Sequence, residues 1–378
     1  MISANCGIFV PHSKSIVQRE EAIHYMIHSF DDIVRDAIAA RASDIHVCAG
    51  YPVNVRVDGG IRPLYEEAEL TAEEANAIAD SIMNERQKDT LVNAGEVDFA
   101  YAIKDTARLR MNIYSQTGSV ATCGRILNDR IPNLKSLGLP EILSDMCDKK
   151  RGLILVTGIT GSGKSTTLAA LIQNINMRHD HHILTIEEPI EYVYPRGRSV
   201  VNQREIGSDS KSFAAALRAS LREDPDVILL GEMRDLETMQ TAISAAETGH
   251  LVLSTLHTMN AAASIDRILD TFPPAQQDQV RTQLADVIEC VVSQQLVPKI
   301  DGVGRCVATE IMTAVPAIRA NIRDGKTYQI PQTIATSRKL GMHLMDDSLY
   351  DLYLHGKISG DSALYFAQDR EAMSRKIF

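Results

Sequence analysis

A glycine-rich stretch at residues 158–165, Gly-Ile-Thr-Gly-Ser-Gly-Lys-Ser, constrains this chain more than any other feature. It fits the pattern G-x-x-x-x-G-K-[ST], and an apolar run at 152–156 before it predicts a buried strand. Residues 164–175 after it predict a helix. Glycines let a backbone wrap closely around a phosphate chain, and a helix N-terminus directs unpaired N–H groups at the anion. The stretch therefore predicts a phosphate-binding loop for a nucleoside triphosphate.

The loop also predicts which side chains hold the nucleotide and its cation. Lys164 is expected to reach the β- and γ-phosphates, and the Ser165 hydroxyl is expected to hold Mg²⁺. The predicted nucleotide-binding residues of the loop are Gly158, Thr160, Gly161, Ser162, Gly163, Lys164, Ser165 and Thr166.

Composition narrows the class of protein. A length of 378 residues with 44% hydrophobic and 23% charged residues predicts two or three ordinary soluble domains. No apolar run reaches the roughly 20 residues that span a bilayer, and the first residues do not resemble a signal peptide. The 6 cysteines form no C-x-x-C pair, which favours reduced thiols in a cytosol. A formal net charge of −10 disfavours nucleic acid as a partner.

The pattern along the chain predicts four parts. Residues 1–30 show no period and are interpreted as an N-terminal extension. Residues 31–127 predict a compact α+β domain of helices and strands, and turn-forming residues at 128–140 predict a linker. From 141 to 378, strands at 152–157, 183–187, 226–231 and 250–255 alternate with helices, which predicts a largely parallel sheet. After Pro298 the apolar runs thin out, and residues 315–378 are predicted to be mostly helical.

Carboxylates follow two of these predicted strands. Glu232 comes at the end of the strand at 226–231, where ligands bind in α/β sheets, and it could polarise an attacking water or act through Mg²⁺. A plain surface acid is the alternative. Glu187, Glu188 and Glu191 follow the strand at 183–187, and their mutual repulsion favours a cation beside them or, alternatively, full solvation.

Two histidines and three arginines complete the candidate set. His250 and His257 bracket the strand at 250–255, and one or both could sense a γ-phosphate. Arg108 and Arg110 share one face of a predicted strand, and Arg125 lies on the next. Arginine matches phosphate oxygens well, but salt bridges within the first domain have comparable weight.

Several motifs together are similar to one family. The matching segments are 158–165, 185–191, 217–226, 231–238 and 248–258. This set resembles the type II/type IV secretion ATPases, and within them most of all the ATPases that retract type IV pili in twitching motility. The resemblance continues at 42–46 and 108–112. It also includes 317–326, which resembles the C-terminal motif associated with retraction.

The resemblance implies an α/β fold with a PAS-like N-terminal α+β domain, a RecA-like P-loop ATPase domain and a helical C-terminal region. It implies ATP and Mg²⁺ as cofactors and a homohexamer that couples ATP hydrolysis to pilus depolymerisation. The implied partner is an inner-membrane pilus platform protein. The chain itself would then be cytoplasmic, with peripheral membrane association at the cytoplasmic face of the inner membrane.

The resemblance also implies residue roles. Glu191 and Glu232 would serve Mg²⁺ and water activation, His250 and His257 form the histidine motif, and the three arginines above would contact phosphate. Arg319 and Arg323 lie at i and i+4 on one predicted helix face, so they could form one contact surface for the cellular task.

Other functions stay open to different degrees. An assembly or secretion ATPase of the same superfamily is an alternative, but assembly ATPases typically carry a longer N-terminal region and a four-cysteine metal motif, and this sequence shows neither. An ATPase of a type IV secretion system remains possible. The negative net charge argues against a nucleic-acid translocase. The presence of Lys164, Ser165 and Glu232 argues against a regulatory subunit that binds ATP without hydrolysing it. Glu188 stands where the family commonly has Asp. The extension at residues 1–30 leaves open whether the chain is the main retraction motor or an accessory paralogue.

Overall fold

The computed structural model describes residues 28–66, 69–104, 106–127 and 130–378. The chain divides into two compact units, Met1–Leu127 and Asn128–Phe378. The predicted N-terminal extension lies outside the described residues except for its last three positions.

The first unit is a six-stranded antiparallel sheet with helices. Its elements are α1 (Phe30–Ala39), β1 (Asp44–Val47), β2 (Asn54–Val57), β3 (Gly60–Pro63), α2 (Ala72–Ile82), α3 (Glu85–Ala94), β4 (Glu96–Ile103), β5 (Ala107–Gln116) and β6 (Ser119–Leu127). The strand order is β3-β2-β1-β6-β5-β4. Alternation along β5 buries Leu109, Met111 and Ile113 completely, so one face of the sheet forms the core.

Local capping explains where the helices of the first unit begin. Thr71 and Glu74 form a capping box at the start of α2, each bonding the other's backbone N–H. A further helix, α3, was not predicted and starts with a second capping box from Asn84 to Gln87. A low apolar content along α3 hides the helical period, because only Leu91 is buried.

The second unit is a seven-stranded sheet with helices. Its elements are α4 (Ile142–Met146), β7 (Gly152–Thr157), α5 (Lys164–Arg178), β8 (His182–Glu187), β9 (Val200–Glu205), α6 (Phe213–Ser220), β10 (Val227–Leu230), α7 (Leu236–Glu247), β11 (Leu251–Leu256), α8 (Ala261–Asp270), α9 (Pro274–Val287), β12 (Ile288–Pro298), β13 (Arg305–Thr313), α10 (Pro316–Arg323), α11 (Ile330–Thr336), α12 (Met345–Leu354), α13 (Gly360–Phe366) and α14 (Arg370–Ile377). The strand order is β13-β12-β7-β11-β10-β8-β9, and every pair is parallel except β12 with β13.

The central strands of this sheet are buried on both faces, as parallel strands between two helical layers must be. Pairing aligns Thr157 of β7 with Leu256 of β11, and Leu230 of β10 with Ile186 of β8. The carboxyl ends of these strands therefore share one edge, where α/β sheets bind ligands.

The four predicted strands are confirmed to within about a residue, and the C-terminal region is helical as predicted. Three strands of this sheet, β9, β12 and β13, were not predicted. Polar residues interrupt their apolar pattern, for example Gln294 in β12 and Glu310 in β13, both almost fully buried. The sheet therefore continues after Pro298, where the apolar runs thin out, through β13.

Candidate nucleotide-binding site

The glycine-rich loop joins β7 to α5 at the carboxyl edge of the sheet. Gly158 has a φ of 141° and Gly163 a φ of 89°, conformations that side-chain-bearing residues rarely adopt. A Cβ on Gly158 would lie 2.4 Å from the carbonyl oxygen of Gln294. Glycine is therefore required at both turns of the loop, while Thr160 and Gly161 are exposed at its tip.

Lys164 points its ammonium into the concave side of the loop. Its Nζ donates hydrogen bonds of 2.9 Å to the carbonyl oxygen of Gly158 and 3.1 Å to that of Ile159. Burial lowers the pKa of Lys164, and the negative charges of Glu232 and Glu191 oppose that shift. The three predicted groups are therefore close enough to interact, as a phosphate site with carboxylates beside it requires.

Side chains of β12 stabilise the phosphate-binding loop. The side chain of Gln294 donates from Nε2 to the carbonyl oxygen of Ser162 at 2.6 Å and accepts from the Thr167 hydroxyl at 2.9 Å. The neighbouring Ser293 accepts a 2.8 Å bond from the hydroxyl of Thr157. Sequence reasoning missed this support, because a glutamine in a distant strand carries no local signal.

Glu232 lies just beyond β10, where the sequence predicted it, and two basic side chains flank it. Its Oε1 is 2.5 Å from Nη2 of Arg234, and its Oε2 is 3.6 Å from Nε2 of His257. The hydrogen bond that Arg234 donates to Glu232 raises the pKa of Arg234. The Glu232 side chain is 14% exposed, against 69% for Arg234 and 54% for His257. A carboxylate fixed in this way suits orienting a water molecule.

The two predicted histidines lie at opposite ends of strand β11. His250 precedes the first residue of β11 and His257 follows the last, so about 20 Å of strand separates them. The Nδ1 of His250 lies 3.0 Å from the carbonyl oxygen of Ala245. The structure therefore brings His257 to Glu232 and holds His250 at the other end of β11. A role for His250 at the nucleotide stays a prediction.

The acidic segment begins where β8 ends. The Thr185 hydroxyl donates a 2.7 Å bond to Oε1 of Glu187, and the backbone N–H of Glu191 also bonds this carboxyl group. Burial raises the pKa of Glu187 to about 7. The Tyr192 hydroxyl lies 3.0 Å from that of Thr166, which joins the segment to the helix after the loop. Glu188 is exposed and forms a cis peptide bond with Pro189.

The predicted arginines of the first unit lie together on the outer face of its sheet. Arg110 is opposite Arg125 in the pairing of β5 with β6, and Arg108 lies two residues from Arg110. Nε of Arg125 donates a 2.8 Å bond to Asp44. Burial alone would raise the pKa of Asp44, but the bonds from Arg125 and Ser43 hold it below its usual value. That these arginines contact phosphate stays a prediction.

Arg319 and Arg323 share one face of α10, as predicted, but that face packs against α9. Nη1 of Arg319 donates to the carbonyl oxygens of Ala285 and Asp286 at 2.6 and 2.7 Å, and Nη2 donates to Glu289 at 2.6 Å. Arg323 forms an exposed pair with Asp286 at 3.0 Å. The Arg319 guanidinium therefore caps the end of α9. That Arg319 and Arg323 form one contact surface for the cellular task stays a prediction.

The carboxyl edge of the sheet fits a magnesium–nucleotide complex rather than a metal cage built by protein alone. In the parts of the chain that the structure describes, no group of three or more His, Cys, Asp or Glu side chains could hold a metal ion. Mg²⁺ typically takes one or two protein oxygens and completes its shell with phosphates and water. Ser165, Glu191 and Glu232 offer such oxygens, and their role as metal ligands stays a prediction.

Comparison with known proteins agrees with this geometry. The family model described as "Type II/IV secretion system protein" matches residues 19–339. The chain belongs to this family. It is 45% identical over 322 residues to the Pseudomonas aeruginosa "Type IV pilus retractation ATPase PilT", covering 85% of this chain and 93% of that protein. It is also 40% identical over 374 residues to a Neisseria gonorrhoeae "Twitching motility protein", covering 99% and 100%.

A solved structure confirms the fold of this family member. The chain resembles the "Crystal Structure of the Pilus Retraction Motor PilT and Bound ADP" with a TM-score of 0.87 and 47% identity, over 92% of this chain and 99% of that one. The predicted likeness to the retraction ATPases and the predicted α/β fold class are confirmed. Along the described ranges, no helix combines the length and apolar character that crossing a membrane requires.

Proposed function

We propose that this chain is an ATP-hydrolysing motor that powers type IV pilus retraction. The observation that carries the proposal is the phosphate-binding loop between β7 and α5, whose Lys164 is bonded to the loop carbonyls of Gly158 and Ile159. Glu232 and Glu191 lie close enough to raise the pKa of Lys164 against the effect of its burial. The names of the relatives support the cellular task, because those relatives match this chain over most of its length.

The chemistry follows from the placement of the side chains. The loop N–H groups and Lys164 bind the phosphates and balance their charge. Glu232 orients the attacking water and accepts its proton, while Arg234 and His257 hold the Glu232 carboxylate in place. Bound Mg²⁺ would neutralise charge on the phosphates, and Ser165, Glu191 and Glu232 would hold it directly or through water.

The assembly and the partners are part of the same proposal. The motor acts as a homohexamer on an inner-membrane pilus platform protein, at the cytoplasmic face of that membrane. Arg108, Arg110 and Arg125 remain proposed phosphate contacts, and Arg323 remains the proposed partner contact on α10, because its guanidinium is about half exposed.

Deletion of the gene in its host tests the cellular task, with complementation by the wild-type gene and by Lys164→Ala. We expect excess surface pili and no twitching after deletion, and rescue only by the wild type. Bald cells would instead assign the chain to pilus assembly. Normal pili with a secretion defect would assign it to a secretion system.

A further inference from the structure

The segment that carries Glu191 is fixed by side chains rather than by a strand ladder. Residues 190–197 form neither helix nor strand. Beside them runs β9, the edge strand of the sheet. Gln203 and Glu205 lie two residues apart on β9, so their side chains leave the same face of the strand. Both reach the segment.

These side chains bind alternate residues of the segment. Oε2 of Glu205 accepts a 3.1 Å bond from the N–H of Ile190. The amide of Gln203 donates a 2.7 Å bond to the carbonyl oxygen of Tyr192 and accepts a 3.1 Å bond from the N–H of Tyr194. In an extended chain, alternate residues turn their backbone groups to the same side. Residues 190, 192 and 194 therefore face β9.

Glu191 lies between two of these fixed points and faces the other way. Its backbone N–H bonds the carboxyl group of Glu187, whose Oε1 is 3.4 Å from Nε2 of Gln203. The next residue, Tyr192, reaches the hydroxyl of Thr166 at the start of α5. The segment is thus held on one side by β9 and on the other by the helix that follows the phosphate-binding loop.

We propose that Gln203 is a positioning residue for ATP hydrolysis, which holds Glu191 at its working distance from the phosphate-binding loop. This inference rests on the proposed ATPase function. Gln203 suits the task because a neutral amide supplies both a donor and an acceptor at one site. An acid or an amine at this position would supply only one of them in its charged form.

The first test compares two variants of the same strand in the full chain. Gln203→Leu removes both bonds to the segment. Asn202→Ala is the matched control, since Asn202 is the exposed neighbour on the opposite face of β9, with its amide 2.9 Å from Nε2 of His182. We expect Gln203→Leu to lower kcat for ATP hydrolysis by about 10- to 100-fold, the usual effect of losing an outer-shell partner. KM for ATP should stay within about twofold because the loop and Lys164 are unchanged.

A double-mutant cycle with Glu191→Gln separates this inference from the proposed function. If Gln203 acts through Glu191, the double variant should be no slower than Glu191→Gln alone. Additive losses, or a wild-type kcat for Gln203→Leu beside a slow Glu191→Gln, would overturn the inference and leave the proposed function standing. A wild-type kcat for Glu191→Gln would overturn the proposed role of Glu191 and this inference with it.

Gln203→Glu supplies a readout that a merely structural role would not move. A carboxyl group at position 203 can still accept from Tyr194, but it can donate to the Tyr192 carbonyl only when protonated. Oε1 of Glu187 lies 3.4 Å from Nε2 of Gln203, and Glu205 shares the same face of β9, so both carboxyl groups favour the protonated form. The ratio of its kcat to the wild-type kcat should therefore rise as the pH falls from about 8 to about 6. A ratio that does not change with pH would contradict the inference.

Discussion

Gln294 donates a 2.6 Å hydrogen bond from its side-chain amide to the carbonyl oxygen of Ser162, at the tightest part of the phosphate-binding loop. The same amide accepts from the Thr167 hydroxyl. Both contacts are buried, so removing the amide leaves a carbonyl and a hydroxyl without partners. Gln294→Leu should lower the free energy of unfolding by about 1–3 kcal/mol. It should also raise KM for ATP, because the loop loses its support.

Urea unfolding and steady-state ATP hydrolysis measure these two effects. Gln279→Leu is the matched control, since Gln279 is exposed on α9 and its replacement should change stability by less than about 0.5 kcal/mol. Equal stability of the two leucine variants would refute the supporting role of Gln294.

Substitutions of Lys164 and of Glu232 should impair ATP hydrolysis without changing assembly. Lys164→Ala should lose ATP hydrolysis because the phosphates lose their buried cation. Glu232→Ala should lower kcat by at least about 100-fold, the usual effect of removing a positioned base. Both variants should keep the oligomeric state of the wild type in size-exclusion chromatography, since neither side chain belongs to the core. A Glu232→Ala protein that hydrolysed ATP at the wild-type rate would show that another group activates the water.

Sequence specified the parts of this site whose signal is local. The loop at 158–165 combines its glycines, its lysine and the flanking strand and helix within a short stretch, so the pattern alone predicted them. Glu232 was predicted for the same reason, because it directly follows an apolar strand. The position of a strand end also follows from counting residues. Such counting places His250 and His257 at opposite ends of one strand, as the structure does.

The supporting side chains could not be predicted in this way. Gln294 bonds a residue 132 positions away in the chain, and Gln203 reaches a segment that precedes it by about ten residues without a regular period. Arg234 follows Glu232 closely, but only the turn after β10 brings its guanidinium to the carboxylate. Arg319 showed the correct helical face, yet the sequence could not reveal that α9 covers it.

Glu187 should make stability depend on pH. Burial raises its pKa to about 7 from 4.5, so the folded state prefers the protonated form. Its stabilising contribution is therefore complete below the unfolded pKa of about 4.5 and is lost as the pH rises through the folded pKa. Relative to Glu187→Gln, the wild type should lose up to about 3 kcal/mol of unfolding free energy between pH 5 and pH 8.

Urea unfolding of the two proteins without nucleotide, at steps across this pH range, measures the difference. Glu371→Gln serves as the control, because Glu371 is exposed on α14. A constant difference between the wild type and Glu187→Gln across the range would mean that Glu187 does not titrate there.

Arg319 and Arg323 should differ in what they contribute, although they share one face of α10. Arg319 is 24% exposed and holds two carbonyl oxygens at the end of α9 and the carboxylate of Glu289, which also pairs with Lys149. Arg319→Leu should therefore cost about 2 kcal/mol of unfolding free energy. The pair of Arg323 with Asp286 is half exposed, so Arg323→Ala should cost less than about 1 kcal/mol of unfolding free energy and leave ATP turnover unchanged.

Urea unfolding of both variants measures the difference in stability. If Arg323→Ala still abolishes twitching in cells, the loss lies in a contact rather than in the fold. Equal destabilisation by the two substitutions would show that α10 is held by its whole face and not by the guanidinium of Arg319.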